Sequence, residues 1–473
     1  MSVTATGIVI IILGLLLFIT STKWLIGLMV FFVPFTGTAV INVGSGTTGS
    51  AIQPFMFLLI LVYIKNFIKW SFSDSKLKFE VSVYQKKFHL YFSLFSLALC
   101  FSLIMPTIIS GSLYGNISGR LGESLPIVFF GRNITQTLYY FLGVLFAYTV
   151  FNYAKNTDGF LFLIKVMGYS TFFAVMWGML ELICIKTGLP YPTALFNNNI
   201  NEAIARGESV LDSGSRRITS IAAEPSILAQ SLVIYVPFLL SSIESKTYIF
   251  SALKDRLLLL LICLAIFLTT SSSGIISLAL VFVIFYLSKH ESIRVKAIKI
   301  IFQIGLIICG VVMGYILFPK LFEELFLNKS QSYSAAERLG TITSGWDNFL
   351  HYPVLGVGWG AITVNDLFLK ILSNTGIIGF SLFSMSLYFI LKQHLKAYAV
   401  IRDNLTAFFV NRSTFLALSL LLLNCEIAGF SFYFGTFWLI LGLSIVDKTK
   451  LFNIHAPYLS DNVYEYVSER KNL

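Results

Sequence analysis

The stretch Arg216-Arg217-Ile-Thr-Ser-Ile-Ala-Ala-Glu224-Pro225-Ser226-Ile-Leu-Ala-Gln230 carries two arginines and a glutamate to the mouth of an apolar block covering residues 225–243. A block of that length crosses a bilayer as a helix. Proline suits the first helical position, where no amide donor is needed. Glu224-Pro225-Ser226 therefore reads as a helix start, with unpaired N–H groups and the positive dipole end facing the preceding loop. Further apolar blocks cover residues 5–21, 24–40, 51–68, 89–109, 136–153, 160–184, 256–270, 274–288, 298–318, 366–391, 406–424 and 429–446. The fold class expected is an all-α polytopic membrane protein with about 12–13 transmembrane helices.

Composition supports that reading. Of 473 residues 56% are hydrophobic and only 12% are charged, which excludes an ordinary soluble domain. The net charge of +11 falls mostly in short loops between apolar blocks, where it sets topology rather than binding nucleic acid. Cys100, Cys184, Cys263, Cys309 and Cys425 lie singly, without disulfide or zinc spacing. The five histidines are scattered, so a metal-independent mechanism without a cofactor is expected. The first block lacks a basic flank and a cleavage site and reads as a retained helix.

Basic residues give the orientation. Lysines crowd residues 65–87; Lys246, Lys254 and Arg256, then Lys289, Arg294, Lys296 and Lys299, then Lys392, Lys396, Arg402 and Arg412 follow with the same parity. These connections are assigned to the cytoplasm, with the 448–473 tail. The two longest loops, 187–224 and 319–365, then face outward. They separate N-terminal (1–186), central (225–318) and C-terminal (366–447) groups of helices. Long loops of this kind are commonly lids or binding elements.

A charge near the bilayer centre costs about 2.5–3.5 kcal/mol on insertion scales and needs a partner or a purpose. Here Glu181, Glu224, Asp366, Lys370 and Glu426 gather at outward ends, and the outer loops add Arg216, Arg217 and Arg338. Guanidinium groups match phosphate oxygens bidentately. Glu224 beside them is the first candidate to accept a proton from a sugar hydroxyl, and Asp366 the second. The plainer alternatives are a Glu224–Arg217 salt bridge and an Asp366–Lys370 pair neutralised at i,i+4.

In the second loop Ser334-Ala-Ala-Glu337 has the form of a capping box. Leu339, Ile342, Trp346 and Leu350 follow at helical spacing before Pro353. The pattern predicts an amphipathic helix at the outer interface, with Arg338 near the headgroups. Gly356-Val-Gly358-Trp-Gly360 has no βαβ unit around it and reads as a tight return to the membrane rather than a nucleotide loop. Thr269-Thr-Ser-Ser-Ser-Gly274 reads as a polar turn between two spans.

In order, these pieces resemble the O-antigen polymerase and ligase family of bacterial polysaccharide assembly. The likeness rests on Arg217 to Ser226, on the Thr269–Gly274 turn, and most on Arg338 through Phe380, with Trp346, Pro353, Gly356, Gly358, Gly360, Asn365, Asp366, Gly376 and Gly379. The resemblance implies a GT-C-like, metal-independent, inverting glycosyltransferase. Its donor and acceptor would be undecaprenyl-diphosphate-linked oligosaccharides at the outer face of the bacterial cytoplasmic membrane. A chain-length regulator and a flippase are the implied partners, and Arg216, Arg217, Arg338, Asn365 and Lys370 the implied substrate contacts. Ligases of the family carry a histidine just before this asparagine, whereas Val364 precedes Asn365 here. That departure favours a polymerase over a ligase; a lipid-linked oligosaccharide flippase is a further alternative.

Overall fold

The computed structural model describes residues 1–44, 50–71, 82–117, 123–200, 216–288, 333–401, 403–429 and 431–454, with isolated positions 315, 316, 319 and 323. The protein is an all-α polytopic membrane protein. Its helices are α1 (Ala5–Thr20), α2 (Thr22–Phe31), α3 (Pro54–Ser71), α4 (Val83–Ser102), α5 (Met105–Ile109), α6 (Gly131–Tyr153), α7 (Thr157–Thr187), α8 (Thr193–Phe196), α9 (Pro225–Val233), α10 (Val236–Ser245), α11 (Ala252–Leu268), α12 (Ser272–Leu287), α13 (Tyr333–His351), α14 (Leu367–Val400), α15 (Leu405–Ile427), α16 (Gly435–Ile445) and α17 (Lys448–Leu451). Two small antiparallel sheets join loops. One pairs β1 (Ser2–Val3), β2 (Ile41–Val43) and β3 (Ser50–Ile52), the other β4 (Tyr114–Gly115) and β5 (Leu125–Pro126).

Among the described residues six helical stretches are long and apolar enough to cross a membrane: Val83–Ile109, Gly131–Tyr153, Thr157–Thr187, Pro225–Ser245, Leu367–Val400 and Leu405–Ile427. Several expected spans are shorter as helices. Residues 24–40 are helical only to Phe31, because Pro34 and Gly37 fall where the chain turns. Residues 429–446 are helical only over Gly435–Ile445. The block 298–318 lies outside the described residues but for positions 315 and 316. Arg412, read from sequence as part of a cytoplasmic loop, stands inside α15, where it is buried and paired with Glu244. Its Nη2 also donates to the Phe285 carbonyl at 2.9 Å. A buried guanidinium needs such partners.

The amphipathic helix forms as α13, but it is already running at Tyr333, so Ser334 is not its cap. Its faces are sorted the opposite way from those of a soluble helix. Leu339, Trp346 and Leu350 are at least half exposed, while Thr341 and Asn348 are buried. The buried polar row binds the α5–α6 connection: the amide of Asn116 donates to Ser344 Oγ at 3.0 Å, and Asn348 Nδ2 to the Tyr114 carbonyl at 3.4 Å. An outward apolar stripe is what a lipid-facing helix presents.

α14, which packs along α4, is broken. Gly376 has φ 66° and ψ −172°, a conformation open to glycine, and a Cβ there would lie 2.1 Å from the Val354 carbonyl oxygen. The glycine loop after α13 fills the break. The amides of Val357 and Gly358 donate to the carbonyls of Ser373 and Asn374, and the amides of Ile377 and Ile378 donate to those of Pro353 and Val354. Backbone groups freed at membrane depth are thus satisfied within the protein, as a bilayer requires. The expected tight return is present. Trp359 anchors it, buried against Tyr140, with its carbonyl accepting from Asn133 Nδ2 at 2.6 Å.

Candidate functional site

The last turn of α15 is where the charged segments meet. Arg338 on α13 donates from Nη1 to the Ile427 carbonyl at 3.0 Å, satisfying one of the carbonyls left open at a helix C-terminus. Its guanidinium is largely enclosed, and burial pulls its pKa below the ordinary arginine value while the charges of Glu224 and Glu337 oppose the shift. Arginine remains cationic after such a shift. The electrostatic link brings Glu224 and Arg338 together from the two long loops. Glu224 caps the start of α9 in extended backbone, as the Glu-Pro-Ser reading expects, and its Oε2 accepts from Ser226 Oγ at 3.1 Å. Gln230, six residues further along α9, donates from Nε2 to the Gly429 carbonyl at 3.5 Å.

On the other side of the same turn lies the start of α14. Asp366 is its N-cap, accepting the Leu369 amide at 2.7 Å. Glu426, from the last turn of α15, accepts the Phe368 amide at 3.4 Å, and its carboxyl lies within hydrogen-bonding reach of that of Asp366. Two carboxyls so placed at one helix start can share a proton. Asn365 borders Gly429, whose added Cβ would sit 3.7 Å from the Asn365 carbonyl oxygen. Lys370, one turn into α14, is 7% exposed. Its amide donates to the Asp366 carbonyl at 3.0 Å, but among the described residues no hydrogen bond or ion pair joins its Nζ to the Asp366 carboxylate, so the side-chain i,i+4 pair is not formed. The charge that acts on it is that of Arg132.

Two predicted residues make contacts that hold the loop before α9. Arg217 donates from Nε and Nη2 to the carbonyls of Thr269 and Thr270, which end α11, so the polar turn and the arginine loop hold one another. Glu181 is buried and accepts the amides of Thr219 and Ser220 at 2.8 and 2.6 Å, fixing the segment that leads to Glu224. Arg216 beside it is exposed.

Sequence reading passed over Arg132, which starts α6 and donates from Nη2 to Thr363 Oγ1. The Phe-Phe-Gly-Arg-Asn run before an apolar block was the available signal, being a cation at an outward helix start like those singled out. It also left Glu426 unpaired, because nothing local in a sequence joins residue 426 to residue 366.

The fold and this cluster define a polytopic membrane protein with cationic and carboxylic side chains from separate segments gathered at one end of a span. Residues 257–384, a little over a quarter of the chain, match the family described as O-antigen ligase. The matched segment takes in Arg338, Asn365, Asp366 and Lys370, and leaves Arg132, Arg217, Glu224 and Glu426 outside it. It agrees with the resemblance carried by Arg338 through Phe380 and supports a membrane role of the O-antigen polymerase or ligase kind in polysaccharide biosynthesis. No curated protein matches the chain.

Proposed function

We propose that the protein is a membrane glycosyltransferase that polymerises undecaprenyl-diphosphate-linked oligosaccharide repeat units at the outer face of the cytoplasmic membrane. The observation that carries this reading is the meeting of Arg338 and Glu224, from two different outer loops, beside the Asp366–Glu426 carboxyl pair. Arg338 binds the diphosphate of the donor and stabilises the negative charge that builds on it as the glycosyl bond breaks. The charge of Glu224 acts on that guanidinium and favours its cationic form. The acceptor hydroxyl oxygen forms the new bond to the anomeric carbon, the carbon–oxygen bond to the diphosphate breaks, and the diphosphate leaves with the electron pair. The hydroxyl proton passes to the Asp366–Glu426 pair and then to water. Glu224, the first choice from sequence, is the alternative acceptor.

The test is chain extension by the purified full-length protein given lipid-linked repeat units alone. Long chains remaining on the carrier diphosphate support the polymerase. The family description favours a second reading, an O-antigen ligase. A ligase would leave the repeat units unextended and transfer glycan only when a separate lipid or protein acceptor is added.

A further inference from the structure

Arg132 reaches from the start of α6 to Thr363, whose amide donates to the Asn116 carbonyl at 2.8 Å and whose Oγ1 donates to the Ile117 carbonyl at 2.7 Å. Thr363 is three residues before the Asp366 cap, and Lys370 is one turn after it. Arg132 thus contacts the segment that leads into α14, whereas Arg338 contacts the last turn of α15. Lys370 is more than nine-tenths buried, and among the described residues no hydrogen bond or ion pair reaches its Nζ. The nearby acids are engaged elsewhere: Asp366 on the Leu369 amide, Glu426 on the Phe368 amide and on Asp366. The neighbour that acts on Lys370 is another cation, Arg132. Two cations acting on one another at a buried position are stabilised by an oxyanion that both can reach.

We propose that Arg132 and Lys370 form a second oxyanion site, separate from Arg338, that receives the diphosphate of the second lipid-linked substrate. This rests on the polymerase reading, in which donor and acceptor each carry a polyprenyl diphosphate and both must be held at once. Two separate cation groups, one contacting the segment before α14 and one the end of α15, meet that need. A transferase whose acceptor lacks a diphosphate needs only the Arg338 side.

The experiment counts bound diphosphates. Full-length protein in phosphatidylcholine nanodiscs is titrated with farnesyl diphosphate and followed by ³¹P NMR. Wild type should bind two equivalents. Lys370→Met, which conserves volume, and Arg132→Gln should each weaken one of them roughly tenfold or more, as expected for a lost charge-assisted contact. Arg338→Gln should weaken the other. If Lys370→Met fails to fold, Arg132→Gln, at a partly exposed position, still decides. A single equivalent on wild type, or two of unchanged affinity in Arg132→Gln, overturns the proposal. Nanodiscs containing phosphatidylglycerol separate the two sources of phosphate: an unchanged count supports a substrate site, and displacement of the second equivalent by the lipid overturns it. The polymerase reading is scored separately. Two bound diphosphates without chain extension sink that reading and leave the site; chain extension with one bound diphosphate sinks the site and leaves the reading.

Discussion

Arg338 Nη1 lies 3.0 Å from the carbonyl oxygen of Ile427, across 89 residues of chain. The contact pins the guanidinium at the open end of α15 while the charge of Glu224 acts on it from the other loop. A lysine keeps the charge but not the planar fork that engages a carbonyl and a phosphate together.

Arg338→Lys should therefore lose chain extension nearly as completely as Arg338→Ala. The stability lost in either case is about 1 kcal/mol, the typical net value of one hydrogen bond. Measuring extension at matched protein levels checks this, and full activity in Arg338→Ala would remove Arg338 from the site.

Asp366→Asn and Glu426→Gln should each slow turnover by roughly 10² to 10⁴, the usual contribution of a positioned general base, with donor binding retained. Glu224→Gln should weaken donor binding more than turnover, because its charge acts on Arg338. Single-turnover rates and donor affinities measured separately distinguish the roles. If Glu224→Gln binds donor normally and does not turn over, proton acceptance belongs to Glu224.

Arg217→Ala and Glu181→Gln are expected to act through folding. Arg217 closes the end of α11, and Glu181 holds two buried amides, so each loss should cost about 1–3 kcal/mol and lower the midpoint of thermal unfolding. Activity per folded molecule should fall less in Arg217→Ala than in Arg338→Ala. Equal losses of activity with unchanged stability would return Arg217 to substrate binding.

Gly376→Ala places a Cβ 2.1 Å from the Val354 carbonyl oxygen in a backbone conformation that alanine rarely adopts. Strain of this kind costs about 1–3 kcal/mol before the clash is counted. The folded yield in detergent should drop sharply, and a normal yield would mean that the break in α14 is not needed.

The apolar face of α13 should lie in the outer leaflet. Brominated lipids, introduced into nanodiscs, should quench the part of the tryptophan emission that is lost in Trp346→Phe. No such difference would place the helix away from the bilayer.

How much of this was legible in the sequence depended on the range of the interaction. The helix start at Glu224-Pro225 and the helix carrying Leu339, Ile342, Trp346 and Leu350 follow from local rules of proline placement and 3.6-residue spacing, and both formed. The break at Gly376 did not show, because the polar Ser373-Asn374-Thr375 run is short enough for residues 366–391 to read as one helix and composition says nothing about the sign of φ. The pairing of Asp366 with Glu426 and the reach of Arg132 to Thr363 were equally hidden, since each joins residues brought together only when distant helices pack. The contacts of Arg217 with Thr269 and Thr270 were hidden for a related reason: they are made to backbone carbonyls, which every residue has and no sequence pattern marks.

The glycine loop splints α14 from both sides, with two of its amides on the segment before Gly376 and two of its carbonyls on the segment after. Neither half can fray without releasing the other. The amides of Val357, Gly358, Ile377 and Ile378 should then exchange with deuterium at a common rate, as one opening unit that the ends of the chain segment do not reveal separately. Because Asp366 and Lys370 ride on the first of those halves, the free energy of that single opening also sets how long the site keeps its shape.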